Sequence, residues 1–197
     1  MKKSLVALAV LAVVGMGAVR AKTRDISFGY RMGAGFPGDV NRTHPASILP
    51  GQMDSTNPVA AYGFPALNSG SNTMRGLLAA DQATLTRIDA ILIRPFPAQQ
   101  QSGGMTSSIG AATPGTTGIH DYLTQGFCMA TCNNFAANPP VKGGRVYVWC
   151  AASSGQHVLG GFEAAATGGS TILLTNAKWQ SPPDSAGVAE LEIWAGN

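Results

Sequence analysis

Glycine and proline punctuate this chain too often for long regular elements. There are 25 Gly and 12 Pro among 197 residues, well above their usual combined share of about 12%. Long helices are excluded at that density, because each interior Pro removes a backbone donor and clashes with the preceding turn. A coiled coil is excluded further by the scarcity of Glu and Lys. Disorder throughout is excluded by the opposite argument: 45% of residues are hydrophobic and only 12% are charged, the reverse of a chain that cannot bury a core. What remains is a fold of short strands joined by tight turns.

The formal net charge is +3, from 13 Lys and Arg against 10 Asp and Glu. Lys2, Lys3 and Arg20 supply the whole excess; beyond residue 21 the balance is 10 against 10. The body therefore lacks the cationic surplus that holds a nucleic-acid backbone. A neutral, charge-poor surface suits a protein packed against something, because net charge is what keeps proteins apart.

Residues 1–21 form an apolar N-terminal segment in which two lysines precede the stretch Leu5 to Val19. That stretch is short for a spanning helix of about 20 residues. It has the layout of a secretory signal peptide, and equally that of an apolar helix that docks against a neighbour. Residues 22–60 read as an extended arm. Pro37, Pro45, Pro50 and Pro58 alternate there with Gly29, Gly33, Gly35, Gly38 and Gly51, a spacing that leaves no helix and no long strand. Yet Ile26, Phe28, Tyr30 and Met32 alternate as one face of an extended segment does, and Phe36, Val40 and Ile48 follow. A plain linker does not carry such residues; an arm lying in a groove does.

Residues 61–197 read as a β-rich body. A turn is expected at Asn68–Ser71, and the run Leu85 to Arg94 reads as a strand covered on both faces. The small, polar stretch 98–118 reads as a mobile loop. Another strand is expected around Tyr122 to Met129. The last third is a β meander: Arg145–Cys150 with Val146, Val148 and Cys150 on one face, His157–Val158 continuing to Phe162–Ala164, then Thr171–Leu174. It closes on Ala189–Trp194, with Leu191 and Ile193 inward and Glu190 and Glu192 outward. The fold class expected is mainly β: an antiparallel β-sandwich or small barrel, jelly-roll-like, with an extended N-terminal arm.

Signals for chemistry are thin. Gly33–Gly38 matches G-x-G-x-x-G, but Pro37, Pro45 and the polar run Asn41–His44 deny the following helix that a dinucleotide site needs. The string reads instead as a tight turn in close approach to a surface. Cys128, Cys132 and Cys150 have no fourth Cys and no close His to complete a tetrahedral zinc set, so no metal and no cofactor is expected. They are one disulfide plus a thiol if the chain is exported, and three thiols in a reducing cytoplasm. His120-Asp121 with a remote Ser is the hydrolase alternative, yet there is no G-x-S-x-G elbow. Asn41-Arg42-Thr43 fits a glycosylation sequon without other support. No catalytic residue is assigned and no small-molecule substrate is expected.

Two stretches carry a resemblance. One is Phe28-Gly29-Tyr30-Arg31-Met32-Gly33-Ala34-Gly35-Phe36-Pro37-Gly38-Asp39-Val40-Asn41-Arg42, running on to Arg94-Pro95-Phe96-Pro97. The other is Gly144-Arg145-Val146-Tyr147-Val148, continued by Gly160–Ala166 and the closing strand. In style and order they resemble the decoration or structural cement proteins of tailed-bacteriophage heads, over most of residues 28–194. That resemblance implies a non-enzymatic virion protein on the outer surface of the capsid, assembled in the host cytoplasm. Its β body and arm would bind major capsid protein subunits. Phe28, Tyr30 and Phe36 are the expected aromatic anchors, and Arg24, Arg31 and Arg42 the expected partners of capsid carboxylates. Self-association as a trimer or dimer would add avidity; no nucleic acid is expected as a partner. The competing expectation, set by residues 1–21, is an exported bacterial β-sandwich acting as a surface or periplasmic binding module.

Overall fold

A computed structural model of the protein describes residues 35–42, 46–95 and 113–194. The expected segment 1–21, most of the loop at 98–118 and the arm before residue 35 lie outside those residues. Nine strands are described: β1 (Ser47–Met53), β2 (Pro65–Gly70), β3 (Thr73–Arg75), β4 (Ala90–Leu92), β5 (Ile119–Thr131), β6 (Arg145–Trp149), β7 (Phe162–Glu163), β8 (Thr171–Trp179) and β9 (Val188–Ile193). There is no α-helix among the described residues, only two short 3-10 turns.

The strand order is β1-β3-β2-β4-β5-β9-β8-β6-β7, and β1 also pairs with β5. That second pairing closes β1, β3, β2, β4 and β5 into a small five-stranded barrel. All ladders are antiparallel except β1–β3. The remaining strands continue from β5 as a second layer. The expected small-barrel reading of the body therefore holds, with extra strands added to one wall.

Strand periodicity explains how one wall serves two cores, since successive side chains leave a strand on opposite sides. Ala66, Ala90, Leu92 and Tyr122 join Met53, Val59, Tyr62 and Met74 in the barrel interior. Their chain neighbours Leu67, Ile91, Ile93 and Leu123 point the other way. There they meet Val146, Val148, Trp179, Leu191 and Ile193 from the second layer. Burial of β4 on both faces, expected from its apolar run, follows from this arrangement.

β5 crosses between the two layers. Up to Gln125 it pairs with β1, and from Gly126 onward with β9. Gly126, with φ +133°, marks the change of partner. A side chain is strained at that dihedral, which glycine adopts freely.

Four expectations are corrected. Residues 46–60 are not arm: β1 has seven residues and pairs from Ser47 to Gln52 with β5, and at Gln52 and Met53 with β3, while Val59 is buried in the barrel. Pro50 is tolerated because it lies exposed, and its carbonyl accepts from Asn72 Nδ2 at 3.1 Å. Gly51 fits because a Cβ there would stand 3.1–3.2 Å from Met74 and the Tyr122 ring. Leu85–Asp89 is not strand, since the Asn176 side-chain amide takes both backbone groups of Ile88 in place of a ladder. His157–Val158 is not strand either: Ser154 and His157 exchange backbone hydrogen bonds across a tight turn. Glu190 does not face solvent but is buried, for the reason given next.

Candidate functional site

Of the six residues expected to make contacts, Arg24, Phe28, Tyr30 and Arg31 lie outside the described residues. Phe36 and Arg42 lie within them, on a strap of residues 35–42 that runs against the body. The strap fills an edge. Gly38 donates its N–H to Met129 O (2.8 Å), Met129 donates to Asp39 O (2.9 Å), and Arg94 donates to Gly38 O (2.9 Å). It thereby satisfies backbone groups of β5 where no neighbouring strand does. Gly38 is required at this point. Its φ is +88°, and a Cβ would come within 2.8 Å of Tyr62 Cβ and 3.1 Å of two backbone nitrogens. The close-approach reading of the Gly33–Gly38 string is met here, at Gly38.

Two arginines fasten the strap. Arg42 forms a forked pair with Glu190, Nε to Oε1 at 2.7 Å and Nη2 to Oε2 at 2.6 Å. Asn41 Nδ2 adds a third donor to the same carboxylate at 2.7 Å. The guanidinium also lies 4.4 Å from the Phe127 ring centre. Bidentate pairs of this kind are the strong, directional ones. Glu190, misread as a solvated residue, is covered by the strap; strand alternation alone does not reveal a cover that comes from 148 residues away. Arg94 is the second fastener. Its guanidinium sits 5.0 Å from the Phe36 ring centre and 5.6 Å from that of Tyr62, with Asp39 Oδ1 3.7 Å from Nε. Phe36 itself remains 45% exposed. Arg42 is thus committed to an internal partner, while Phe36 keeps a free face.

The remaining sequence candidates are dispersed. Cys128, Cys132 and Cys150 are free and buried. Burial pushes the thiols of Cys128 and Cys132 up to about 12 and that of Cys150 to about 11, so they are poor nucleophiles. No group of three or more His, Cys, Asp or Glu suited to a metal occurs among the described residues. His120 Nε2 lies 3.2 Å from the Thr117 carbonyl, with no described hydroxyl hydrogen-bonded to it. His157 instead joins a cluster that the sequence did not reveal. Its Nδ1 lies 2.5 Å from Oε1 of the buried Glu163, and its ring stacks on Trp149 at 4.1 Å. This clasp pins the 150–161 loop to β6 and β7. Beside that loop is a groove of about 210 Å³ lined by Pro58, Phe64, Leu77, Val158 and Leu159, among others. No acid, base or thiol lines it, so it offers apolar contact and no evident chemistry.

A family model described as XM1 gp53 minor capsid protein matches residues 25–193. A chain from the structure titled "The capsid of Myoviridae Phage XM1" is similar over 84% of this chain and 93% of its own, with a TM-score of 0.60 and 16% identity. No curated protein matches. At that identity the structural likeness speaks for the fold, whereas the family match spans both the strap and the body. The chain belongs to the XM1 gp53 minor capsid protein family, a family of phage capsid-associated proteins.

Proposed function

We propose that this protein decorates the outer surface of a bacteriophage capsid and cements it, by binding major capsid protein subunits through its N-terminal arm and its β body. The observation that carries the reading is the fastening of residues 35–42. An arm that transmits load needs a fixed root, and this root has a forked Arg42–Glu190 pair and two backbone bonds to Met129. The residues that precede it, Arg24, Phe28, Tyr30 and Arg31, are the proposed capsid contacts, with the exposed ring of Phe36 at the point of departure. Arg42 is reassigned from capsid contact to anchor.

Energetics favour a partner-bound arm. Holding one residue in a single backbone conformation costs about 1–2 kcal/mol. That cost is offset when aromatic side chains are buried at about 25 cal/mol per Å², and aromatics dominate interface energetics. Association as a dimer or trimer would multiply such contacts. The test is co-sedimentation with capsid shells. Phe28→Ala combined with Tyr30→Ala is expected to weaken binding while the body keeps its circular-dichroism spectrum and melting temperature. Undiminished co-sedimentation of that variant would count against the arm's role.

A further inference from the structure

The outer face of the second layer carries a patch of three exposed cations. Arg145 on β6 and Lys178 on β8 are directly opposite one another in the ladder. Lys142 stands three residues before Arg145, in the 141–144 turn. That turn is held to β8 by Gly143 donating to Trp179 O (2.7 Å) and Trp179 donating to Gly144 O (3.1 Å). All three side chains belong to exposed residues. None is in an ion pair among the described residues. Glu192 lies opposite Lys178 on its other side and offsets part of the charge; its Oε2 also accepts from Gln180 Nε2 at 2.5 Å. Lys178 lies instead over the Trp194 ring, 5.7 Å from its centre.

Like charges directly across a ladder destabilise a sheet. Here Glu192, across from Lys178, offsets part of the repulsion, while Lys142 and Arg145 are in no ion pair among the described residues. A partner bearing carboxylates removes the remainder on binding. Flanking the charges are two exposed apolar side chains, Val141 (61% exposed) and Leu173 (40%). Mixed apolar and charged surface fits a protein partner. Three cations are few for a phosphate backbone, where sequence-independent affinity grows with each neutralised phosphate.

We infer that Lys142, Arg145 and Lys178 form a second docking surface, and that its partner is an acidic patch on a neighbouring protein of the shell. The inference rests on the capsid-binding reading above and adds a contact on the body to the one assigned to the arm. Electrostatic complementarity of this kind sets orientation and on-rate, and it is screened by salt.

The discriminating variant is Arg145→Glu in the full chain, because it places opposite charges across the ladder. Its thermal midpoint is expected at or above that of the unmodified protein. Its binding to shells of the major capsid protein is expected to fall about tenfold at low salt, with a flatter salt dependence. Lys142→Glu is expected to weaken binding in the same direction. Unchanged binding of Arg145→Glu, while the Phe28→Ala, Tyr30→Ala variant binds weakly, overturns the patch and leaves the arm reading intact. Failure of the unmodified protein to bind shells overturns both. Retention of mixed-sequence duplex DNA by the unmodified protein and not by Arg145→Glu overturns the acidic-protein assignment in favour of nucleic acid.

Discussion

The two interiors of this molecule are built from different materials. The space between barrel and second layer is filled by branched aliphatics, Trp179, Phe162 and three thiols. Phe162 meets Trp179 edge to face, with ring centres 6.3 Å apart. The barrel interior is smaller and leans on one sulfur atom. Met53 Sδ accepts from Val59 N at 3.2 Å and lies 3.5 Å from the Tyr122 hydroxyl. Tyr122 is fully buried, and burial pushes its phenol up to about 12. The larger interior depends on shape and volume; the barrel depends on a weak acceptor satisfying two buried donors. The contrast teaches that a barrel interior holding two tyrosines and two methionines meets its polar requirements with soft atoms.

Thiol chemistry offers the largest expected effect. Cys128, Cys132 and Cys150 all lie in the larger interior. At pH 8 they should react with a thiol reagent more than roughly a thousandfold slower in the native protein than in denaturant, because access requires opening. Rapid native labelling would show that this interior is loosely packed. The raised thiol pKa values also set a sign. Protonated thiols favour the folded state fully below the unfolded value of about 8.5. That contribution is lost as pH rises through the folded values of about 11 to 12, so alkaline titration should destabilise the fold.

Trp179→Ala should cost about 3–5 kcal/mol, measured by denaturant unfolding, as expected for emptying a fully packed site. A loss under 1 kcal/mol would mean that the second layer collapses onto the gap. In the barrel, Met53→Leu conserves volume but removes the sulfur, and should cost about 1–3 kcal/mol from stranded donors. Tyr122→Phe in that background should recover part of the loss, since one donor is gone. An additive double mutant would sever the proposed link between them.

The smallest effect lies at the barrel rim. Arg75 makes two 2.7 Å bonds to Asp81, which also accepts from Leu78 N. The hydrogen bond from Arg75 holds the carboxyl below its ordinary value. The associated stability, about 1 kcal/mol, is present above the unfolded carboxylate pKa and lost as pH falls through the lowered one. Asp81→Asn should therefore flatten the acid limb of the stability curve. An unchanged acid limb would assign the acid response to other carboxylates.

What the residues disclose by themselves follows the range of the interactions involved. The strands at Arg145–Trp149 and Val188–Ile193 are legible as strands because apolar residues alternate along their sequences. Burial of Ile88 to Ile93 is legible because so continuous an apolar run needs cover on both sides. β1 is not legible: Pro50 and Gly51 interrupt it, and its register comes from Tyr122 and His120, about seventy residues onward. The site divides in the same way. Phe36 reads from its setting as an aromatic contact residue of the arm, and its ring is left half open on the strap. The destination of Arg42 depends on Glu190, and no local pattern announces that pair. The clasp of His157 on Glu163 escapes a strand-based reading because the loop doubles back at Ser154.

The change of partner at Gly126 has a mechanical corollary. One continuous strand is structural to the closed ring at one end and to the added layer at the other, with the strap stitched to its edge at Met129. Tension drawn in along residues 35–42 would be shared between both halves from the outset, so the molecule should yield as a single unit and not shed its layers in turn.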